Sequence, residues 1–222
     1  MTRPILVPLA VLGALFGVAA ASSSAALVTA PRATVDLPAA AKTDVAVFAG
    51  GCFWGVEGVY RHVKGVLGVT SGYTGGAAST AHYEMTSNGT TGHAESVRIL
   101  FDPAKVSYGE LLRIYFSVVA DPTLKNHQGP DEGPQYRSAI FPVSVAQAKV
   151  ARAYIAQLSA AHVFARPIVT TIEPFHGFYP AEAEHQNYFA LNPWSGYCRA
   201  VIAPKVSKFR KTFASRLNRV GA

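Results

Sequence analysis

Apolar residues recur along the chain in short runs of two different periods, separated by glycine- and proline-rich stretches. Residues 44–49, Asp-Val-Ala-Val-Phe-Ala, read as a short strand buried on both faces. Just beyond it Val56, Val59, Tyr60 and Val63 fall at helical spacing. A β-rich run at 66–75 closes on Gly75-Gly76, and 77–92 is polar and turn-rich, with an Asn88-Gly89 turn signal. Over 95–102, Val97, Ile99 and Phe101 alternate with Ser96, Arg98 and Leu100, which predicts a strand covered on both faces at one end; Asp102-Pro103 stops it. Ser107 and Glu110 form a capping-box pair ahead of a helix that turns Leu111, Leu112, Tyr115 and Phe116 inward. Residues 120–134 make a long connection rich in Asp, Pro, Asn, Gln and Gly, a length that in a compact domain usually serves function. A strand at 138–143, a helix from Ser144 to about 161, a strand at 168–173 and a short helix at 180–188 follow. A strand at 201–203 and a helix started by Pro204 finish the chain. Strands and helices mix without strict alternation, so the expected class is α+β.

The first residues change the picture of what folds. Arg3, the apolar stretch 5–21 and the small residues 22–26 have the layout of a secretory leader cut after Ala21 or Ala26, with an uncleaved anchor as the alternative. Residues 27–43, with Pro31, Pro38 and several alanines, read as a flexible tether, leaving 44–222 as one domain. Export, to a bacterial periplasm, is therefore expected, with membrane contact only if the leader stays attached. The net charge is +7, and much of the excess lies in the last helix, at Lys205, Lys208, Arg210, Lys211, Arg216 and Arg219. Such a face is either solvated or meets an anionic membrane or acidic protein. No nucleic-acid motif accompanies it, and the 2 cysteines and 7 scattered histidines show no metal-ligand spacing.

The candidate chemistry centres on Gly50-Gly51-Cys52-Phe53-Trp54. Two cysteines in an exported chain most often form a structural disulfide. Cys52, however, sits where a strand ends and a helix begins, where unpaired amides and the helix dipole favour an anion and lower a thiol's pKa. The two glycines before it permit close approach to the sulfur. Glu95 enters an apolar strand, so burial would keep it protonated and able to donate a proton; the alternative is an exposed position at the strand's edge. Tyr83 and Tyr136 lie in glycine-rich segments outside core periodicity, where a hydroxyl can orient a polar oxygen. Phe53 and Trp54 can wall an apolar cup beside the sulfur. Other readings are a cysteine hydrolase with His93 or His185 as base, and a non-enzymatic domain stapled by Cys52 and Cys198.

Taken together the segments resemble the A-type peptide-methionine sulfoxide reductases, from about Val45 to about Arg210. The motifs are Gly50-Gly51-Cys52-Phe53-Trp54-Gly55, Gly72-Tyr73-Thr74-Gly75-Gly76, Thr91-Gly92-His93-Ala94-Glu95, Gln135-Tyr136-Arg137-Ser138-Ala139-Ile140, and Glu184-His185-Gln186 followed by Gly196-Tyr197-Cys198. The resemblance implies a two-layer α/β sandwich related to the ferredoxin-like plan, with helices on a mixed sheet. It implies that Cys52 attacks the sulfoxide sulfur while Glu95, aided by Tyr83 and Tyr136, protonates the oxygen. Phe53 and Trp54 then hold the substrate's methyl group, and Asp131 binds its backbone side. The resulting sulfenic acid condenses with a second thiol, for which Cys198 stands at the position used in many members. No cofactor is implied; electrons come from a thioredoxin-like dithiol protein. The substrates are the S epimer of free methionine sulfoxide and oxidised proteins, and the chain is expected to be a monomer. It departs from the common pattern at His82, Ala120 and Pro134.

Overall fold

The computed structural model describes residues 28–218, so the expected leader and Arg219 lie outside the described residues. Strands β1 (Asp44–Gly50), β2 (Val66–Thr74), β3 (Ala94–Phe101), β6 (Ser138–Ile140), β7 (Thr171–Ile172) and β8 (Tyr179–Pro180) form one sheet in the order β7-β6-β1-β3-β2-β8. Neighbours run antiparallel except β6 and β7, which are parallel. A separate hairpin pairs β4 (His127–Gln128) with β5 (Asp131–Glu132) inside the long connection. The helices are α1 (Phe53–Tyr60), α2 (Tyr83–Thr86), α3 (Tyr108–Ile114), α4 (Val145–Ala160), α5 (Tyr188–Leu191) and α6 (Ala203–Thr212). A mixed sheet with helices packed on it is the α+β class that the patterning predicts. Among the described residues no helix is long and apolar enough to cross a membrane.

The continuous apolar run of β1 is explained by two cores. Ala46 and Phe48 belong to the large helix-side core, whereas Val47 and Ala49 pack with Ala94, Ala139 and Phe141 on the other face, beneath Phe175 and Phe178. In β3 the alternation holds as read: Val97, Ile99 and Phe101 are fully buried, and Arg98 and Leu100 are exposed. Glu95 has the same parity as those three, so it too faces the helix-side core, opposite Tyr73 of β2 in the register.

Several elements differ from their sequence expectation. Helix α1 ends at Tyr60, and Val63 reaches the core from a bridge to Leu217 rather than from a helical turn. Only the N-terminal half of the capping box forms: Ser107 Oγ accepts from the Glu110 N–H at 3.2 Å, while the Glu110 carboxylate goes to Arg113 and Arg216. Residues 201–203 are not a strand. A π-helical turn, Cys198–Ile202, runs directly into α6, because Val201 and Ile202 follow a helical backbone already started before Cys198. The strand expected at 168–173 shortens to β7, and the helix at 180–188 breaks into β8, a 3₁₀ turn at Ala183–His185 and α5. A left-handed Asn187 (φ 53°) makes that last break.

Residues 28–37, expected within a flexible tether, instead lie against α3 and α4. Ala30 is fully buried, its N–H bonded to Ser117 Oγ at 3.0 Å and its carbonyl to Arg113 Nε at 2.9 Å. Tyr154 donates to the Pro31 carbonyl at 2.6 Å, and Asp36 Oδ1 accepts from the Gly109 N–H at 2.8 Å. The small side chains that suggested a linker are what let this backbone approach two helices closely.

The joint between β1 and α1 is the tightest corner near Cys52. Gly51 has φ +85°, and a Cβ there would stand 2.6 Å from Gln128 Cβ. Gly51→Ala is therefore expected to cost roughly 1–3 kcal/mol of stability, read as a lower urea midpoint; a midpoint within experimental error of the parent would contradict this account of the corner.

Candidate active site

Cys52 is the residue before α1, with φ −51° and ψ 123°, and its side chain makes no capping hydrogen bond. The first amide of the helix is satisfied from a distance: Phe53 N–H donates to Glu95 Oε2 at 3.0 Å, across 42 positions of sequence. That bond brings the carboxyl of β3 to the residue beside the thiol. Glu95 is 2% exposed, and desolvation pushes its carboxyl up to about 8, against the opposing pull of the Phe53 amide; the Asp131 charge adds to the rise. A carboxyl so placed keeps its proton at neutral pH.

The thiol does not follow its sequence expectation. A helix start was expected to lower its pKa, yet it is held well above the ordinary value, first by burial and then by the Glu95 charge. The Trp54 amide and the Tyr197 hydroxyl both favour the anion but do not offset that burial. Helix-start stabilisation is real here and smaller than desolvation. Because Glu95 is one of the causes, the two groups titrate as a pair, and the site holds one negative charge more readily than two.

Around this pair stands a wall of rings. Phe53 is fully buried, and Trp54 stacks on Tyr188 at 3.7 Å and 8° and on His185 at 5.7 Å. His185 lies 4.2 Å from the Tyr83 ring, and Tyr197 meets Trp54 edge-on at 5.9 Å. Tyr83 sits in the short helix α2 rather than a loop, and Tyr136 closes a 3₁₀ turn at Pro134–Tyr136. Burial and the Glu95 and Cys52 charges hold both hydroxyls above their ordinary pKa, so both remain donors. Asp131, on β5, accepts a 2.6 Å hydrogen bond from Tyr197, whose hydroxyl thus stands between that carboxylate and the sulfur. Cys52, Glu95, Tyr83, Tyr136, Phe53, Trp54 and Asp131 are therefore brought to one site. Cys198 is not among the groups acting on Cys52: it is fully buried in the helix-side core, and both cysteines are free.

Other site residues carried only weak sequence signals. Tyr197 was legible as part of a motif without a role. Glu182 accepts from Tyr73 Oη at 2.8 Å and from the Tyr83 N–H at 3.0 Å, and so fixes the start of α2. Glu57, 1% exposed, bonds Arg61, Ser71 and the Asn187 N–H, which places Tyr188 against Trp54. A Glu on the buried face of α1, between Val56 and Val59, was the available sign. Lys205 of α6 packs on Gly55, its Nζ 3.7 Å from where a Cβ would be, and interacts electrostatically with Cys52 and Asp131.

The alternatives fare poorly in this geometry. Both ring nitrogens of His93 are engaged by backbone, at the Gly76 N–H and the Ala77 carbonyl, and His185 is stacked among rings with its pKa lowered chiefly by burial. A Cys52–Cys198 staple is not formed. Among the described residues no group of three or more His, Cys, Asp or Glu is arranged to hold a metal.

Residues 44–217 match the family described as "Peptide methionine sulfoxide reductase". The chain is 52% identical over 179 residues to Peptide methionine sulfoxide reductase MsrA 2 of Mesorhizobium japonicum, covering 81% of this chain and 92% of that one. It is 51% identical over 180 residues to the MsrA of Deinococcus radiodurans, covering 81% and 86%. Among solved structures it resembles Mxr1 of Saccharomyces cerevisiae in reduced form, with TM-score 0.63 and 32% identity over 74% of this chain and 92% of that one. Methionine sulfoxide reductase A of Corynebacterium diphtheriae gives 0.59 and 30%, over 75% and 83%.

The Glu95 shift has a consequence for stability. The folded state holds this proton up to about 8, whereas an ordinary carboxyl releases it near 4.5. Across that window the unfolded chain binds fewer protons, so stability falls as pH rises. Glu95→Gln keeps an oxygen for the Phe53 amide and removes the titration. Its urea midpoint, measured against the parent from pH 5 to 8, is expected to gain on it steadily; two parallel curves would contradict the raised carboxyl.

Proposed function

The chain belongs to the peptide methionine sulfoxide reductase family, and from that we propose a residue-level route for its reaction. The protein is an oxidoreductase that reduces methionine sulfoxide to methionine, an activity of protein repair. In the proposed route the substrate's methyl group enters the cup beside Phe53 and Trp54 and excludes water, which keeps Glu95 neutral. The sulfoxide oxygen meets Glu95 and the Tyr83 and Tyr136 hydroxyls. A sulfoxide oxygen is a poor leaving group until protonated, so Glu95 delivers its proton as the Cys52 sulfur attacks. The thiol proton passes to the emptied carboxylate, which returns it to the oxygen as the substrate's sulfur–oxygen bond breaks; the oxygen leaves as water and Cys52 stays bonded to the substrate sulfur as a sulfonium. Water then attacks the Cys52 sulfur and gives up a proton to the carboxylate, the sulfur–sulfur bond breaks, and methionine leaves behind a Cys52 sulfenic acid. The Cys52 anion need exist only as the oxygen takes its proton, which suits a thiol that is not ionised at rest.

Cys198 then displaces water from the sulfenic acid to form a disulfide, and a thioredoxin-like dithiol protein reduces it. Because Cys198 is buried on a helical segment, this step requires the 195–202 region to move. The substrate is the S epimer, free or in oxidised proteins, and the leader directs the enzyme to an exported compartment, where an exported donor recycles it. The observation carrying the route is the buried carboxyl of Glu95, hydrogen-bonded at 3.0 Å to the amide next to Cys52, where desolvation raises its pKa.

Mass spectrometry after excess methionine sulfoxide without reductant tests it: one equivalent of methionine and one new Cys52–Cys198 bond are expected. Cys52→Ser is expected to yield no methionine, and Glu95→Gln to slow the burst by about 10²-fold or more. Methionine formed by Cys52→Ser, or a Glu95→Gln burst at the parent rate, would overturn these assignments.

A further inference from the structure

Two of the cations on the last helix are not solvated as a basic face would be. Lys205 and Lys208, one turn apart on α6, are half-buried and line a cavity of about 690 Å³ whose other charged residues are Arg166, Asp121 and Asp131. Both carboxylates are already engaged. Asp121 accepts from the Thr123 N–H and Oγ1 and lies 3.9 Å from Arg166, and Asp131 accepts from Tyr197. Neither lysine has a salt bridge or hydrogen bond among the described residues. Burial lowers the pKa of both ammoniums. Asp131 attracts Lys205 and Asp121 attracts Lys208 without reaching salt-bridge distance, and neither offsets the burial; a cation partly withdrawn from water with no carboxylate in contact is a standing cost that an incoming anion relieves.

The cavity adjoins the reacting atoms. Asp131 lines it and contacts Tyr197 at the sulfur; Gln128 lines it and packs beneath Gly51; Lys205 lines it and packs on Gly55. Its apolar floor includes Phe116, Phe164 and Val201, which suits the carbon stems of an extended peptide. The hollow on the Tyr83 and His185 side of the cup has the opposite character, with Glu84, Glu182 and Glu184 among its residues. We propose that the cavity under α6 is a subsite for the polypeptide flanking the oxidised methionine, and that it selects segments carrying Asp or Glu. The inference rests on the reductase reading and names the substrate class within it. Charge contrast between the two hollows makes the preference one-sided: acidic residues help on one side of the methionine sulfoxide only.

The test uses the full-length protein, a small dithiol as reductant, and peptides with one methionine sulfoxide and two Asp, Ser or Lys residues on either its N- or its C-terminal side. For one side, the acidic peptide is expected to show a KM about fivefold below its Lys counterpart at low salt, a gap that narrows as ionic strength rises. Lys208→Glu is expected to reverse the order and Lys208→Ser to flatten it, with turnover of free methionine sulfoxide unchanged in both. Equal KM values across the peptides, or a preference that survives Lys208→Glu, would overturn the subsite. A charge effect seen only with a thioredoxin-like protein as reductant would assign the cavity to the donor and overturn it as well. Failure of the parent to reduce free methionine sulfoxide would count instead against the reductase reading.

Discussion

The hydrogen bond from the Phe53 amide to Glu95 Oε2 fixes what the rest of the site can do. It caps a helix that Cys52 leaves uncapped, and it ties α1 to the middle of the sheet. By parity it also forces a carboxyl into the helix-side core, where water cannot solvate its charge. Position and protonation state therefore have one cause. An N–H donor alone would favour the carboxylate; burial outweighs it, and the carboxyl stays neutral beside a sulfur that itself resists ionising. The resting site stores protons, and in the proposed route attack on a sulfoxide is where they are used.

Other carboxylates build the wall around that pair by similar means. Glu182 holds the first amide of α2 and thereby Tyr83, and Glu57 holds Asn187 and thereby Tyr188 against Trp54. Each joins a short helix start to an element distant in sequence. Short helices have few amides of their own to spare, so a remote carboxylate sets both their position and their direction. The π-helical turn at Tyr115–Val119 serves the floor: Val119 and Ala120 pack on Gly50, where a Cβ would stand 3.0 and 3.2 Å away. The second π-helical turn carries Cys198 and leads into α6, so Cys198 and the cationic cavity share one segment.

Much of this was legible in the chain because the signals were local. The uninterrupted apolar run before Gly50, the alternation after Glu95 and the Ser144 cap each depend on neighbours within a few positions, and each is realised. What escaped depends on long-range company. Val201 and Ile202 look like strand residues until Cys198 is seen to lie already on a helix. Alanines and prolines at 30–38 look like a linker until Ser117, Tyr154 and Gly109 supply partners for their backbone and for Asp36. The thiol's raised pKa is hidden for the same reason: the helix start is local, whereas the burial and the Glu95 charge come from residues distant in sequence. Lys205 and Lys208 read as surface charge because nothing in their own helix reveals the cavity they line.

The central claim is that a protonated Glu95 sits beside Cys52 at neutral pH, and infrared difference spectroscopy addresses it directly. The account predicts a carboxylic-acid carbonyl band at neutral pH that converts to carboxylate as pH passes about 8 and is missing from Glu95→Gln. A spectrum already showing ionised Glu95 at pH 6, with no band for the mutation to remove, would contradict it.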